Sequence, residues 1–262
     1  MSNDKIIVSK QEGIGSIVFN NPEKRNAISL EMSLAAADAI EDFTADPNVR
    51  VIVLSGAGDK AFAAGADISR FEKDRATPEQ IAQYSEKSAR FRLGLRNVGK
   101  PTIAKIRGYC IGGGMGVALN CDLRICAEDA QFGIPAARLG IGYAAEALRQ
   151  LVRLVGPSAA KEVLFTARRY NAQEALRLGI VNQVVAVAEL DDYVAKYAAG
   201  IAGNAPLSLI AAKRVVDEIV KDREERNDAL CEQVVATCFG SQDYIEGRRA
   251  FMEKRKAVFV GR

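Results

Sequence analysis

Two glycine-rich segments are the part of this sequence best suited to chemistry at the backbone. They read AFAAGADI at residues 61–68 and GYCIGGGMG at residues 108–116, and each follows a predicted buried strand. Small residues let a ligand approach the main chain, and the first amides of a helix lack intrahelical partners. Two such segments could aim two N–H groups at one developing oxyanion. Tight packing of strand against helix would favour the same residues, so composition leaves both interpretations open.

The side chains available for catalysis are limited because the chain of 262 residues contains no histidine. This excludes Ser-His-Asp and Cys-His mechanisms as well as HExxH metal sites. The five cysteines form no C-x-x-C pair, so we expect no metal site and interpret them as reduced thiols of the core. Acid-base chemistry would have to come from carboxylate, Tyr, Lys or Cys side chains.

Composition predicts an ordinary soluble globular protein, with 48% hydrophobic residues, 26% charged residues and a net charge of +3. The charge is too small to indicate a nucleic-acid partner. No apolar run approaches the roughly 20 residues that span a membrane, and the N-terminus lacks a signal-peptide pattern. We therefore expect a cytoplasmic protein without a membrane partner.

Strands and helices alternate first, and helices follow, which is typical of an α/β fold with a helical tail. Residues 56–67 are predicted to be a loop, and residues 108–120 a glycine-rich turn that leads into a helix. Strands are predicted over 5–10, 13–20, 50–55, 101–106, 122–127 and 180–185. Helices are predicted over 30–43, 78–98, 157–166, 172–178, 189–202, 206–220, 224–239 and 243–256. The composition shifts near residue 200, which suggests a core over 1–200 and a helical region over 201–262.

The two glycine-rich segments and four others together resemble the crotonase superfamily, the enoyl-CoA hydratase/isomerase family. The others are NPEKRNAI at 21–28, AQFGIP at 130–135, LGI at 178–180 and FMEKRKAVF at 251–259, so the resemblance runs nearly end to end. It implies a spiral of ββα units with a C-terminal helical trimerisation region, in trimers or dimers of trimers. It also implies an acyl-CoA thioester as substrate, with no cofactor beyond the coenzyme A that the substrate carries.

The resemblance assigns roles to particular positions. The backbone amides of Ala66 and Gly113 would hold the thioester carbonyl and stabilise its enolate. Lys254 is also interpretable as a solvated helix end, and Arg70 would substitute for a basic family residue at the position of Ser69. The positions that would line the path of coenzyme A are Ala27, Ala64, Asp67, Ile68, Arg70, Phe251 and Lys254.

The sequence departs from a typical hydratase of this family at both catalytic glutamates. Gly116 and Ala136 stand at those positions, so both carboxylates are absent. In the following segment LGIGYAAEAL, Tyr143 stands where hydratases usually have Pro, and Glu146 where they usually have Gly. This segment and the C-terminal half resemble methylmalonyl-CoA decarboxylase, which has a Tyr at the same position but a His in place of Ala66.

Three functional hypotheses follow. The first is an acyl-CoA lyase that decarboxylates a malonyl-type CoA thioester, with Tyr143 orienting the departing carboxylate. The alternative is an enoyl-CoA hydratase or isomerase that uses Glu146 as a relocated acid. The third is an acyl-CoA-binding relative with little activity. Tyr143 is also interpretable as an aromatic wall and Glu146 as a surface helix residue.

Overall fold

The computed structural model describes residues 4–67 and 76–262, and its main element is a six-stranded sheet. Its first two strands form an antiparallel hairpin, and the other neighbours pair in parallel. Continuous apolar runs such as VIVLSG are typical of strands buried on both faces. The strand order is β1 (Ile6–Gln11), β2 (Ile14–Phe19), β3 (Val51–Gly56), β5 (Thr102–Ile106), β7 (Leu123–Ala127) and β10 (Gln183–Val185). All six strands match predicted ones.

A second, four-stranded sheet was not predicted from the sequence. Its order is β4 (Ala61–Ala63), β6 (Tyr109–Ile111), β8 (Gln131–Gly133) and β9 (Tyr170–Asn171). The prediction of a loop over residues 56–67 and of a turn from residue 108 was therefore wrong for β4 and β6. Strands of two or three residues are too short to show the alternation by which a strand is recognised.

Helices flank the sheets, and their starts follow local capping signals. Ser29 caps the first helix, where its hydroxyl accepts from the amide of Met32 at 3.2 Å. The fourth helix begins at Ala145, twelve residues before the predicted start. The sequence pattern missed its first half because Gly156, which is non-helical, and Pro157 interrupt the helix. The described helices are α1 (Leu30–Ala45), α2 (Pro78–Asn97), α3 (Gly113–Leu119), α4 (Ala145–Thr166), α5 (Ala172–Arg177), α6 (Leu190–Ala202), α7 (Pro206–Ile219), α8 (Asp228–Phe239) and α9 (Gln242–Met252).

Aromatic side chains join the two sheets to α2. Phe19 of β2 meets Phe62 of β4 edge to face, with ring centroids 5.6 Å apart. The ring of Phe91 on α2 lies 6.3 Å from that of Phe19, and all three side chains are buried. Edge-to-face aromatic pairs contribute about 0.5–1.5 kcal/mol each beyond their buried area. This cluster fixes the position of β4, and hence of the glycine-rich segment that follows it, relative to α2.

The helical C-terminal region is attached to the sheet by polar contacts. Lys213 of α7 donates to the Asp122 carboxylate at 2.8 Å, and the Arg50 guanidinium donates to the carbonyl oxygen of Phe259 at 2.7 Å. The structure confirms the predicted α/β fold and the helical tail. The boundary at residue 200 and the role of residues 201–262 in assembly remain predictions. No helix in the described part of the chain is long and apolar enough to cross a membrane.

Candidate active site

Ala66 and Gly113, the two residues whose amides the family resemblance pairs, belong to neighbouring peptide units. Ile28 donates its N–H to the Gly65 carbonyl oxygen at 2.8 Å and accepts from the Asp67 N–H at 3.2 Å. Pairing through these two neighbours turns the N–H of Ala66 away from Ile28. A Cβ atom placed on Gly113 would lie only 3.4 Å from the Ala66 nitrogen. The two peptide units are therefore adjacent.

The glycines of both segments are required by the backbone itself. Gly65 has a φ of +107°, which a residue with a side chain rarely adopts. A Cβ atom on Gly114 would lie 2.1 Å from the Ala63 carbonyl oxygen, so α3 approaches β4 only because position 114 is glycine. The close packing and the paired amides thus have the same cause, and the two interpretations of these segments are compatible.

Ala66 and Gly113 both line a cavity of about 210 Å³. Its lining includes Ala66, Gly113, Tyr143 and Glu146, the four residues predicted to be catalytic. Glycine-rich backbone forms one wall, and side chains of α2 and of the start of α4 form the others. The fold therefore brings together residues that are up to 80 positions apart in the sequence.

Glu146 lies in the first turn of α4 with its carboxylate bound by two arginines. Arg96 of α2 donates to one carboxylate oxygen, and the Nε of Arg149 lies 3.3 Å from the other. The side chain is 49% exposed, so one side of the carboxylate remains accessible to solvent. The arginines compensate its charge, and Glu146 is both an exposed residue of the helix surface and part of the cavity lining.

Tyr143 lies in the segment that precedes α4. Its half-buried ring packs against the main hydrophobic core and also lines the cavity. It therefore forms part of the cavity wall and also brings a phenol group to the site.

Neither position of the family's catalytic glutamates carries an acid. Gly116 on α3 lines the cavity, and a Cβ atom placed there would meet no described heavy atom within 4 Å. Ala136 is buried in a short 3-10 helix, Pro135–Leu139. Among the described residues that line the cavity, Glu146 is the one carboxylate. In the same part of the chain, no group of three or more His, Cys, Asp or Glu side chains is placed to hold a metal ion.

The predicted coenzyme A positions are only partly gathered at this site. Ala64 lies in the segment that leads to Ala66, and its amide donates to the Arg25 carbonyl oxygen at 3.0 Å. The Asp67 carboxylate pairs with Lys24 at 2.9 Å. Ala27 is buried beside Ile28, a residue of the cavity lining. Ile68 and Arg70 lie outside the described residues.

The two C-terminal positions, Phe251 and Lys254, do not line the cavity of their own chain. The side chain of Phe251 is 82% exposed at the end of α9, and Lys254 follows with a positive φ of 54°. Whether they reach the coenzyme A of another subunit remains a prediction.

A row of side chains on α2 also lines the cavity and was missed from the sequence. Residues Tyr84, Ser88, Arg92 and Arg96 recur at intervals of four, the spacing of one helix face. The sequence analysis identified a helix over residues 78–98 but assigned no role to its side chains. Their spacing was visible in the sequence and places them on one face of the helix. It could not indicate which part of the protein that helix face contacts.

The chain is similar to known proteins over nearly its whole length. The family described as Enoyl-CoA hydratase/isomerase matches residues 9–262. A crotonyl-CoA hydratase of Syntrophomonas wolfei is 37% identical, with 100% of each chain covered. A short-chain-enoyl-CoA hydratase of Clostridium acetobutylicum is 34% identical over 98% of this chain and 97% of its own.

A solved structure from Magnetospirillum magneticum is described as an enoyl-CoA hydratase/carnithine racemase. It superimposes with a TM-score of 0.95 at 36% identity, covering 100% of this chain and 97% of its own. The resemblance to methylmalonyl-CoA decarboxylase stays a prediction, since these relatives are named as hydratases. A match over nearly the whole sequence and the same fold lead to one conclusion: the chain belongs to the enoyl-CoA hydratase/isomerase family of the crotonase superfamily.

Proposed function

We propose that this protein adds water to, or removes water from, an acyl-CoA thioester, with Glu146 as the acid-base group. The observation that carries the proposal is the meeting of the Ala66 and Gly113 amides in a cavity that Glu146 also lines. The names of the relatives, crotonyl-CoA hydratase and short-chain-enoyl-CoA hydratase, support the same chemistry. This favours the alternative hypothesis of the sequence analysis over decarboxylation.

In the hydration direction, the two amides would accept the negative charge that develops on the thioester oxygen. Water attacks the β-carbon as the Glu146 carboxylate takes its proton, and the α,β double bond becomes an enolate. The α-carbon then regains a proton from the Glu146 carboxyl group, which restores the carboxylate. One aligned amide of this kind contributes roughly 3–4 kcal/mol to stabilising the charge. The hydrogen bonds from Arg96 and Arg149 would keep the Glu146 carboxylate oriented toward the reacting carbons.

Decarboxylation of a malonyl-type thioester is the second candidate, favoured by the missing carboxylates at Gly116 and Ala136. This reaction needs no base, because the bond from the α-carbon to the carboxylate breaks and CO₂ leaves. The electron pair passes to the same thioester oxygen, and a proton from solvent completes the product. Tyr143, which lines the cavity, would orient the departing carboxylate.

The proposal is tested by incubating the protein with crotonyl-CoA and with methylmalonyl-CoA and following both by mass spectrometry. Hydration predicts a mass gain of one water on crotonyl-CoA. Loss of CO₂ from methylmalonyl-CoA, without water addition to crotonyl-CoA, would instead establish the second candidate. If neither changes while butyryl-CoA binds, the protein is an acyl-CoA-binding relative, the third hypothesis.

A further inference from the structure

The α2 wall of the cavity carries a row of polar side chains beside the apolar side chains of Ala89, Phe91 and Leu93. Tyr84, Ser88, Arg92 and Arg96 are spaced by four residues, and each lines the cavity. Four residues advance about 6 Å along a helix, so the row extends over roughly 18 Å. A hydrocarbon acyl chain needs only apolar lining, whereas this wall also brings two guanidinium groups, those of Arg92 and Arg96, to the cavity.

Two other arginines of α2 form ion pairs with carboxylates. Arg90, outside the cavity, contacts Asp38 and Glu41, each at 2.7 Å. Arg96, inside it, pairs with Glu146. In both cases a carboxylate from another helix compensates the positive charge.

Arg92 differs, because no described carboxylate pairs with it. Its Nη1 lies 3.3 Å from the Ser88 hydroxyl oxygen, which accepts from it. The Ser88 hydroxyl in turn donates to the Ser85 carbonyl oxygen at 3.1 Å. The side chain is half-buried. A neutral group thus holds the guanidinium in place, and no carboxylate among residues 4–67 and 76–262 compensates its charge.

The charge balance of the lining has a consequence for the substrate. In the described part of the lining, Arg92 and Arg96 accompany a single carboxylate, Glu146, so these three side chains carry one net positive charge. An uncharged acyl chain would displace water from Arg92 and supply no partner, which costs free energy. A carboxylate on the acyl chain would accept two parallel hydrogen bonds from the guanidinium.

We propose that Arg92 makes this cavity selective for acyl-CoA thioesters whose acyl group ends in a carboxylate. The proposal rests on the proposed function, because the thioester end must be held by Ala66 and Gly113. It concerns recognition of the acyl group, and applies to hydration and decarboxylation alike.

The test compares binding of matched pairs of saturated thioesters, which have no double bond to hydrate. Glutaryl-CoA is paired with valeryl-CoA, and adipoyl-CoA with hexanoyl-CoA, so that each pair has the same number of acyl carbons. Calorimetric titration of the wild-type protein should give tighter binding of the carboxylate member in at least one pair. Tighter binding of the uncharged member in both pairs would overturn the proposal and leave the proposed function standing. If no thioester and no free coenzyme A binds, both are overturned.

Variants identify the residue. Arg92→Met should weaken binding of the preferred carboxylate member about 10- to 100-fold, the scale of a charge-assisted hydrogen bond, and leave its uncharged partner nearly unchanged. Arg92→Lys should restore part of the loss. Lys87→Met removes one positive charge from an exposed position of the same helix and should have no effect. An equal loss for all thioesters and for free coenzyme A would overturn the proposal, because Arg92 would then contact the coenzyme. If Arg92→Met does not fold, the comparison of carboxylate and uncharged thioesters in the wild-type protein still tests the proposal.

Discussion

Arg96 and Glu146 form an ion pair that joins the last turn of α2 to the first turn of α4 across the cavity. Each residue sits at the helix end whose dipole its charge complements, a cation at a C-terminus and an anion at an N-terminus. The pair therefore connects two walls of the site. It also holds the one described carboxylate of the cavity that Ala66 and Gly113 line as well.

Replacing Glu146 by Gln should lower the rate of crotonyl-CoA hydration by about 10²- to 10⁴-fold, the contribution of one acid-base group. The amide keeps the size of the side chain but cannot take a proton from water. Tyr143→Phe is the matched variant, which should leave hydration within a few-fold of the wild-type rate. Steady-state kinetics provide the measurement. Full hydration activity in folded Glu146→Gln protein would rule out Glu146 as the base.

Deleting the amide of Ala66 should strongly lower turnover of any substrate. Ala66→Pro removes the N–H that would hold the thioester oxygen, with an expected loss of about 10²- to 10³-fold in kcat. Ala66→Gly retains the N–H and is the control. Circular dichroism and thermal melting show whether each variant is folded. A folded Ala66→Pro protein that retained wild-type turnover would contradict the role of this amide in either reaction.

Restoring the two family glutamates should increase hydration. Gly116 lines the cavity and has room for a side chain, while Ala136 is buried in the present structure. The double variant Gly116→Glu/Ala136→Glu is expected to hydrate crotonyl-CoA about tenfold faster or more, since each acid-base group can contribute 10²-fold or more. The isosteric pair Gly116→Gln/Ala136→Gln is the control for size. Equal rates for the Glu and Gln variants would show that these positions are not aligned with the substrate.

Three core cysteines should resist alkylation in the folded protein. Burial raises the pKa of Cys121 and of Cys126 to about 12, and burial also raises the pKa of Cys110. Since the thiolate is the reactive form, iodoacetamide at pH 8 should leave these three unmodified until the chain is unfolded in guanidinium chloride. Peptide mapping by mass spectrometry checks this. Rapid labelling of all three in the native state would contradict their placement in the core.

The C-terminal segment should lose stabilisation in acid. Glu246 accepts from Arg255 at 2.6 Å and from the Val258 amide at 3.0 Å, and the Arg255 guanidinium lowers its pKa from 4.5 to about 2. A carboxyl group whose pKa is lowered by folding stabilises the folded state above pH 4.5, and that stabilisation is lost as the pH falls toward 2.

Glu246→Gln should therefore have a lower urea midpoint than the wild-type protein at pH 7. The difference between the two proteins should shrink as the pH falls from about 4.5 to about 2, the interval between the two pKa values. Urea titrations at pH 7, 4 and 2 provide the measurement. A difference that is the same at all three values would show that the carboxylate charge does not contribute.

Much of the framework was predictable because its signals are local. The Ser29 cap, the β1–β2 hairpin and the run of α2 each depend on residues close together in the sequence. The glycine-rich segments indicated a close backbone approach for a similar reason, since a positive φ or a close contact requires glycine. The particular amides, those of Ala66 and Gly113, came from the family resemblance.

Tertiary structure alone decided which groups meet at the site. The second sheet is held by pairing between strands of two or three residues that are far apart in sequence, so no local pattern marks it. No local pattern marks the pairing of Arg96 with Glu146 either. Nor does one show that Arg92 lacks a carboxylate partner among the described residues. A side chain's charge can be read from its residue type, but what compensates that charge depends on how distant helices pack.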